Sequence, residues 1–293
     1  MQSLFNSAIF SYLKFIYLFI FTLAPILAKA DELANTLQIH SISEETKSIK
    51  KHRLKKLIEH MNSGQENLKH QCRFESEISI PPTQKKIYLT FDDGPEPGQT
   101  EHILEVLNKY HVPATFFMIG EKVELHPSLV KLVRQSPLAS IGNHSWSHPN
   151  FHDILEEKQV LEIEKSSALF FQITDQLLFR YPYGNSSCES NQLLKSRNYK
   201  IIGWHIDSCD WAFDHKGSVD LKEALSCGVL PQNRNNFFQH VISTVQAHNG
   251  GIILMHEIHP NTLNQLDALV QKLLDDGFSF GILGEDESKV FFH

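Results

Sequence analysis

Two adjacent carboxylates, Asp92 and Asp93, stand where an extended run over residues 86–91 gives way to Gly94-Pro95. Side chains alternate along an extended segment, so these neighbours face different directions and cannot share one task. One can hold a metal while the other acts as a base. Asp-Asp-Gly-Pro is also ordinary turn chemistry, so the pair gains meaning only from what else the chain supplies. His144 and His148 supply one part. Four residues apart, two imidazoles on one helical turn face the same way and suit a single metal ion. The chain has 17 histidines, so chance alone would give such a spacing, and surface or packing histidines are the alternative. Joined by one aspartate, the two would form a three-ligand site with a position open for water, as in catalytic rather than structural zinc.

Three more stretches carry reactive residue types. In Phe179-Arg180-Tyr181-Pro182-Tyr183-Gly184, Arg180 could pair with an aspartate or make a surface salt bridge. Pro182 fixes the backbone ahead of Tyr183, whose N–H could meet a developing oxyanion. Asp207-Ser208-Cys209-Asp210-Trp211 sets an acid beside a tryptophan that suits a sugar-binding wall, although a buried tryptophan is commoner. Leu254-Met255-His256 ends in a histidine that could serve as general acid. His259 reads as a turn or packing residue. His102, His111, His126, His152, His205 and His215 match none of these stretches and read as structural or solvated.

Positioning these groups falls to an alternation of short apolar runs and helix-period segments. Strands are expected at 87–91, 114–119, 140–143, 179–181, 200–207, 251–256 and 278–283. Helices are expected at 101–110, 127–135, 153–177, 189–197, 235–248 and 263–275. Seven strands with intervening helices imply a parallel sheet, open or closed into a barrel. Chemistry in such folds gathers at the C-terminal strand ends, and all five stretches sit at such ends.

In order, Thr90–Pro95, His144–His148, Arg180–Gly184, Asp207–Trp211 and Leu254–His256 resemble the five motifs of the NodB-homology polysaccharide deacetylases, carbohydrate esterase family 4. The resemblance covers about residues 85–290. It implies an α/β fold, a distorted seven-stranded (β/α) barrel, with a divalent metal, zinc first and cobalt second. It also implies roles: Asp92 as catalytic base; Asp93, His144 and His148 as metal ligands; Arg180 orienting the base; the Tyr183 N–H in the oxyanion hole; Asp210 tuning His256 as general acid; Trp211 and Leu254 walling the acetyl pocket. The fifth motif departs from the family in reading His256-Glu257 where Asp more often follows the histidine. The stretch 212–249 is longer than the family's minimal connection, which implies an added loop near the site.

The bulk properties agree with an exported enzyme. The 293 residues are 41% hydrophobic and 21% charged, ordinary for a globular α/β domain. Residues 1–30 read as a signal peptide: one charge, Lys14, precedes a charge-free run of 14 residues (15–28), and Ala28-Lys29-Ala30 fits a cleavage site. That run is short of the roughly 20 residues needed to span a bilayer, so no stable span is expected after cleavage. Loss of Lys14 and Lys29 takes the formal charge from −7 to −9, which argues against a nucleic-acid partner. Residues 31–82 form an extension with a helix expected at 43–62, and 83–293 the deacetylase domain. Cys72, Cys188, Cys209 and Cys227 lack zinc-site spacing, and at least one disulfide is expected, with the pairing left open. The expected substrate is an acetylated polysaccharide, peptidoglycan N-acetylglucosamine before chitin-type oligosaccharides. An O-acetyl esterase on xylan-like chains, a silent carbohydrate-binding module and a non-carbohydrate amidase are the rivals.

Overall fold

The computed structural model describes Ile78 and residues 84–284, all within the second of two compact units, His52–His293. The expected signal, the helix at 43–62 and Cys72 lie outside the described residues. Within them, strands β1 (Lys86–Gly94), β2 (Ala114–Met118), β3 (Ala139–Asn143), β4 (Leu178–Phe179), β5 (Lys200–Ile201), β6 (Ile206–Asp207), β7 (Gly250–His256) and β8 (Ser279–Phe280) form one sheet. Every pairing is parallel, in the order β5-β4-β3-β2-β1-β7-β6, with β8 beside β1.

The expected strand at 200–207 is two strands. Its first part, β5, pairs with β4 and its last, β6, with β7, so the two parts stand at opposite ends of the sheet order. One continuous piece of chain therefore joins both ends and curls the sheet round on itself. The break falls at Gly203-Trp204, where the Gly203 carbonyl turns to accept from Arg180 Nη2 at 3.0 Å. Counted as chain segments, the seven expected strands are present.

Alternation along β1 sets the layers. Ile87, Leu89 and Phe91 pack outward with Ile103 and Leu107 of α1 (Gln99–Tyr110) and with Leu266 and Leu269 of α9 (Pro260–Asp275). Tyr88 joins Phe117, Trp204, Ile252 and Leu254 in a separate cluster on the other face. Burying each large apolar side chain contributes about 1.5–3 kcal/mol, and a one-residue slip would exchange the two sets. The register is thus strongly specified, and it puts Asp92 directly beside His256 of β7.

The remaining helices are α2 (Gly120–Leu125), α3 (Pro127–Gln135), α4 (Glu156–Phe170), α5 (Cys188–Ser196), α6 (Asp210–Lys216), α7 (Leu221–Cys227) and α8 (Phe237–His248). The stretch 212–249 carries the helix expected at 235–248, as α8, and two further short helices, α6 and α7, where an added loop was expected. Its apolar residues Ala224, Phe237, Val241 and Val245 are needed in the outer core, and helical spacing delivers them to one side. Cys227 at the end of α7 is bonded to Cys209, which immediately precedes Asp210. Closing a loop of 18 residues stabilises the fold by about 3 kcal/mol. Cys188 is also disulfide-bonded.

Candidate active site

Arg180 is not a surface residue. It is fully buried, with its guanidinium 4.2 Å from the Phe117 ring centroid and 5.8 Å from that of Trp204. Nη1 donates to Thr90 Oγ1 and to Asp92 Oδ1, both at 2.7 Å; Nε and Nη2 donate to the carbonyls of Ile202 and Gly203. Burial lowers its pKa and Asp92 opposes that. A buried ion pair holds only when its other donors and acceptors are also satisfied, and the broken strand supplies two of those acceptors. Arg180 thereby fixes Oδ1 of Asp92 and leaves Oδ2 facing His144 Nε2 at 3.6 Å.

His144 and His148 do come together with Asp93, but not on a helical turn. Residues 144–148 form a loop in which Ser145 (φ 67°) and His148 (φ 61°) are left-handed. The loop is closed by Ser145 N–H donating to Asn143 Oδ1 and His148 N–H donating to Ser145 Oγ. The local sequence favours this because short polar side chains next to the backbone compete with helical hydrogen bonds. The two rings lie 4.9 Å apart between centroids.

His144 Nδ1 is 2.8 Å from the Arg180 carbonyl. That bond places the ring proton on Nδ1 and leaves Nε2 as a bare lone pair. Burial pushes His144 down to about 4, against the pull of Asp92 and Asp93, so the ring is neutral near pH 7. Asp93 Oδ1 lies 3.5 Å from His144 Nε2 and 3.1 Å from His148 Nε2, yet it is buried with no hydrogen-bond partner. Burial works against ionising Asp93, but the His148 ring and the charge of His256 outweigh it, and the carboxyl stays below the usual carboxylate range. A buried oxygen without a donor costs about 1–3 kcal/mol, more when charged, and a cation removes that cost. One ligand atom from each of Asp93, His144 and His148 lies within 4.8 Å of the others. These residues fit a divalent cation.

The second cluster has the same residue types and the opposite character. Asp210 Oδ1 accepts from Trp211 N–H at 2.9 Å and lies 2.8 Å from His256 Nδ1; Oδ2 accepts from His256 N–H at 2.8 Å and Thr262 Oγ1 at 2.6 Å. Burial opposes a charge on His256, but Asp210, with Asp93 and Asp92 behind it, raises the imidazole to about 10. His256 therefore holds a proton at neutral pH. His259 stacks edge-on against it at 5.3 Å and lies 2.7 Å from Asp214.

The other expected residues divide. Tyr183, largely exposed and left-handed at φ 57°, has its ring 4.9 Å from that of His148. Leu254 is buried beside Thr90 on the inner face, whereas the half-buried Trp211 packs against the outer core. Glu257, the departure from the family pattern, is fully buried. Its N–H donates to the Asp92 carbonyl and its carboxyl accepts from Thr100 Oγ1. Burial pushes it up to about 8, and it packs so close to Gly94 that a Cβ there would meet Oε1 at 1.7 Å. Thr262 and Asn143 escaped the sequence reading because ordinary polar residues outside the motifs carry no spacing signal, and Thr90 and Glu257 stood in or beside a motif without a role assigned to them.

The polysaccharide deacetylase family profile matches residues 79–202. A Bacillus cereus peptidoglycan-N-acetylglucosamine deacetylase is 32% identical over 216 residues, covering 70% of this chain and 90% of that protein. The Bacillus subtilis peptidoglycan-N-acetylmuramic acid deacetylase PdaC is 29% identical over 250 residues, covering 81% of this chain. The chain spans about half (48%) of the length of PdaC. Among solved structures, the Bacillus anthracis protein BA3943, described as a pseudoenzyme of carbohydrate esterase family 4, is 26% identical with a TM-score of 0.57, over 70% of this chain and 66% of that one. The chain belongs to the polysaccharide deacetylase family.

Proposed function

We propose that this chain is an exported, metal-dependent deacetylase acting on amino-sugar polymers of the cell envelope, with peptidoglycan N-acetylglucosamine as first substrate and chitin-type oligosaccharides as second. One observation carries the reading: Asp92 sits beside both a cluster of ligand-type atoms (from Asp93, His144 and His148) and an imidazole that holds a proton (His256). Amide hydrolysis needs a nucleophile, a stabilised oxyanion and a protonated leaving amine.

Asp93, His144 and His148 would hold the cation, zinc being suited to one carboxylate and two imidazoles. Once bound it supplies Lewis acidity, which acidifies a water and polarises an acyl oxygen. Asp92 Oδ2 takes the proton of the attacking water, while Arg180 keeps Oδ1 fixed. The Tyr183 N–H serves the oxyanion; such a donor contributes about 2.7–4 kcal/mol. His256 then gives its Nε2 proton to the leaving nitrogen as the C–N bond breaks, and Asp210 stabilises the imidazolium beforehand. Tyr183 and Leu254 flank the acetyl group, whereas Trp211, packed against the outer core, is not one of its walls.

Family membership alone would not distinguish an enzyme from a silent binding module, since a pseudoenzyme shares the fold; the full set of base, ligands and protonated acid favours the enzyme. Acetate release from peptidoglycan, chitooligosaccharides and acetylxylan, with and without chelator, tests it. Chelator-sensitive release from an amino-sugar polymer is expected. Release from acetylxylan alone would make it an esterase, and binding without release would make it a module.

A further inference from the structure

The loop that carries both histidines is held in a shape its own backbone does not favour. Ser145 and His148 are non-glycine residues at φ 67° and 61°, each costing about 1–3 kcal/mol, so neighbouring structure must impose this shape. One face of α4 meets the loop at the i, i+3, i+4 spacing. Glu162 Oε2 accepts from the N–H groups of Trp146 (3.0 Å) and Ser147 (2.8 Å), and Oε1 accepts from Ser147 Oγ (2.7 Å). Lys165 Nζ lies 3.5 Å over the Trp146 ring. Ser166 Oγ accepts from Asn143 Nδ2 at 3.0 Å, and the other amide atom of Asn143 accepts from Ser145 N–H.

We propose that Glu162 is a positioning residue for the metal-binding loop: by gathering two consecutive backbone N–H groups and the Ser147 hydroxyl, it holds His148 so that Nε2 faces Asp93, and it thereby sets metal affinity. The inference rests on the metal-dependent reading above. No motif contains Glu162, and its role follows only from the three donors that converge on it. A charged acceptor makes these bonds stronger than neutral ones. Groups one step behind metal ligands typically change affinity 10–100-fold when replaced.

The test is zinc affinity of the full chain, stripped of metal and titrated in competition with a chromophoric chelator. E162Q, which keeps the shape and loses the charge, is expected to bind zinc about 10–100-fold more weakly, and E162A at least as weakly. The cobalt-loaded E162Q should also show an altered visible spectrum. E164Q is the control: Glu164 lies on the same helix but pairs with Arg197 at 2.6 Å, so its loss should leave zinc affinity unchanged. Unaltered affinity in both Glu162 variants would overturn the inference while leaving the metal reading intact. Equal weakening in E164Q would also overturn it, by reducing the effect to general destabilisation. An unsubstituted chain that binds no zinc would instead overturn the metal reading beneath it.

Discussion

Two clusters of one or two carboxylates and two imidazoles border the same strand end, and they are built for opposite tasks. Around Asp93 the donors are missing: Oδ1 has no hydrogen-bond partner, and His144 spends its only proton on the Arg180 carbonyl. Around Asp210 the donors are abundant: four of them converge on one carboxylate, and His256 keeps its proton up to about 10. Residue type alone does not separate the two. One ligand atom from each of Asp210, His256 and His259 lies within 4.8 Å of the others, just as in the first cluster. What separates them is where the protons already are. A cation replaces missing protons; it does not displace four good donors.

The largest effects should dissociate the clusters. His148→Ala is expected to lose both bound metal and turnover. His256→Ala should keep its metal and lose about 10²–10⁴-fold in kcat, the usual contribution of a positioned acid. Elemental analysis after dialysis, paired with acetate release, reads both; metal lost from His256→Ala would mean that the second cluster also binds it. Asp92→Asn should behave like His256→Ala, keeping metal and losing a similar factor in kcat, and full activity would remove Asp92 as the base. Arg180→Ala should be felt in stability as well. It leaves the Asp92 carboxylate buried without its partner, a loss of about 3–5 kcal/mol, measurable by denaturant unfolding.

The sequence exposed the first layer of this contrast and hid the second. Asp92, Asp93, His144, His148, Arg180, Asp210 and His256 could be found because a parallel sheet repeats one geometry, and each motif follows a strand. The helical turn expected for His144 and His148 was wrong because spacing of four fits a strained loop equally well once Glu162 and Asn143 hold it. Arg180 could be read as a partner for an aspartate, but its burial depends on carbonyls at 202 and 203 that point inward only because the strand breaks there. Helices α6 and α7, seven residues each, are too short to show a period. The donors around Asp210 come from Trp211, His256 and Thr262, up to 52 residues away, so no local pattern could count them.

The pH dependence then tests the electrostatic half. Asp210 raises His256 against burial, so in Asp210→Asn the imidazole should fall, and the alkaline limb of kcat should move to lower pH. The loss would be larger at pH 8 than at pH 6. A limb that stays in place would mean that Asp210 orients His256 without holding its charge.

Thr262→Val should have the smallest effect and the most discriminating sign. It removes one of the four donors, at about 1.5–3 kcal/mol for a hydrogen bond to a charged group. If Asp210 shares its charge among the donors, the three that remain each carry more, including His256 Nδ1. The proton on His256 is then held more tightly, and the alkaline limb moves slightly up, opposite to Asp210→Asn. A shift in the same direction as Asp210→Asn would show that Thr262 works by holding the carboxylate in place. The second cluster would then be a matter of geometry rather than of proton supply.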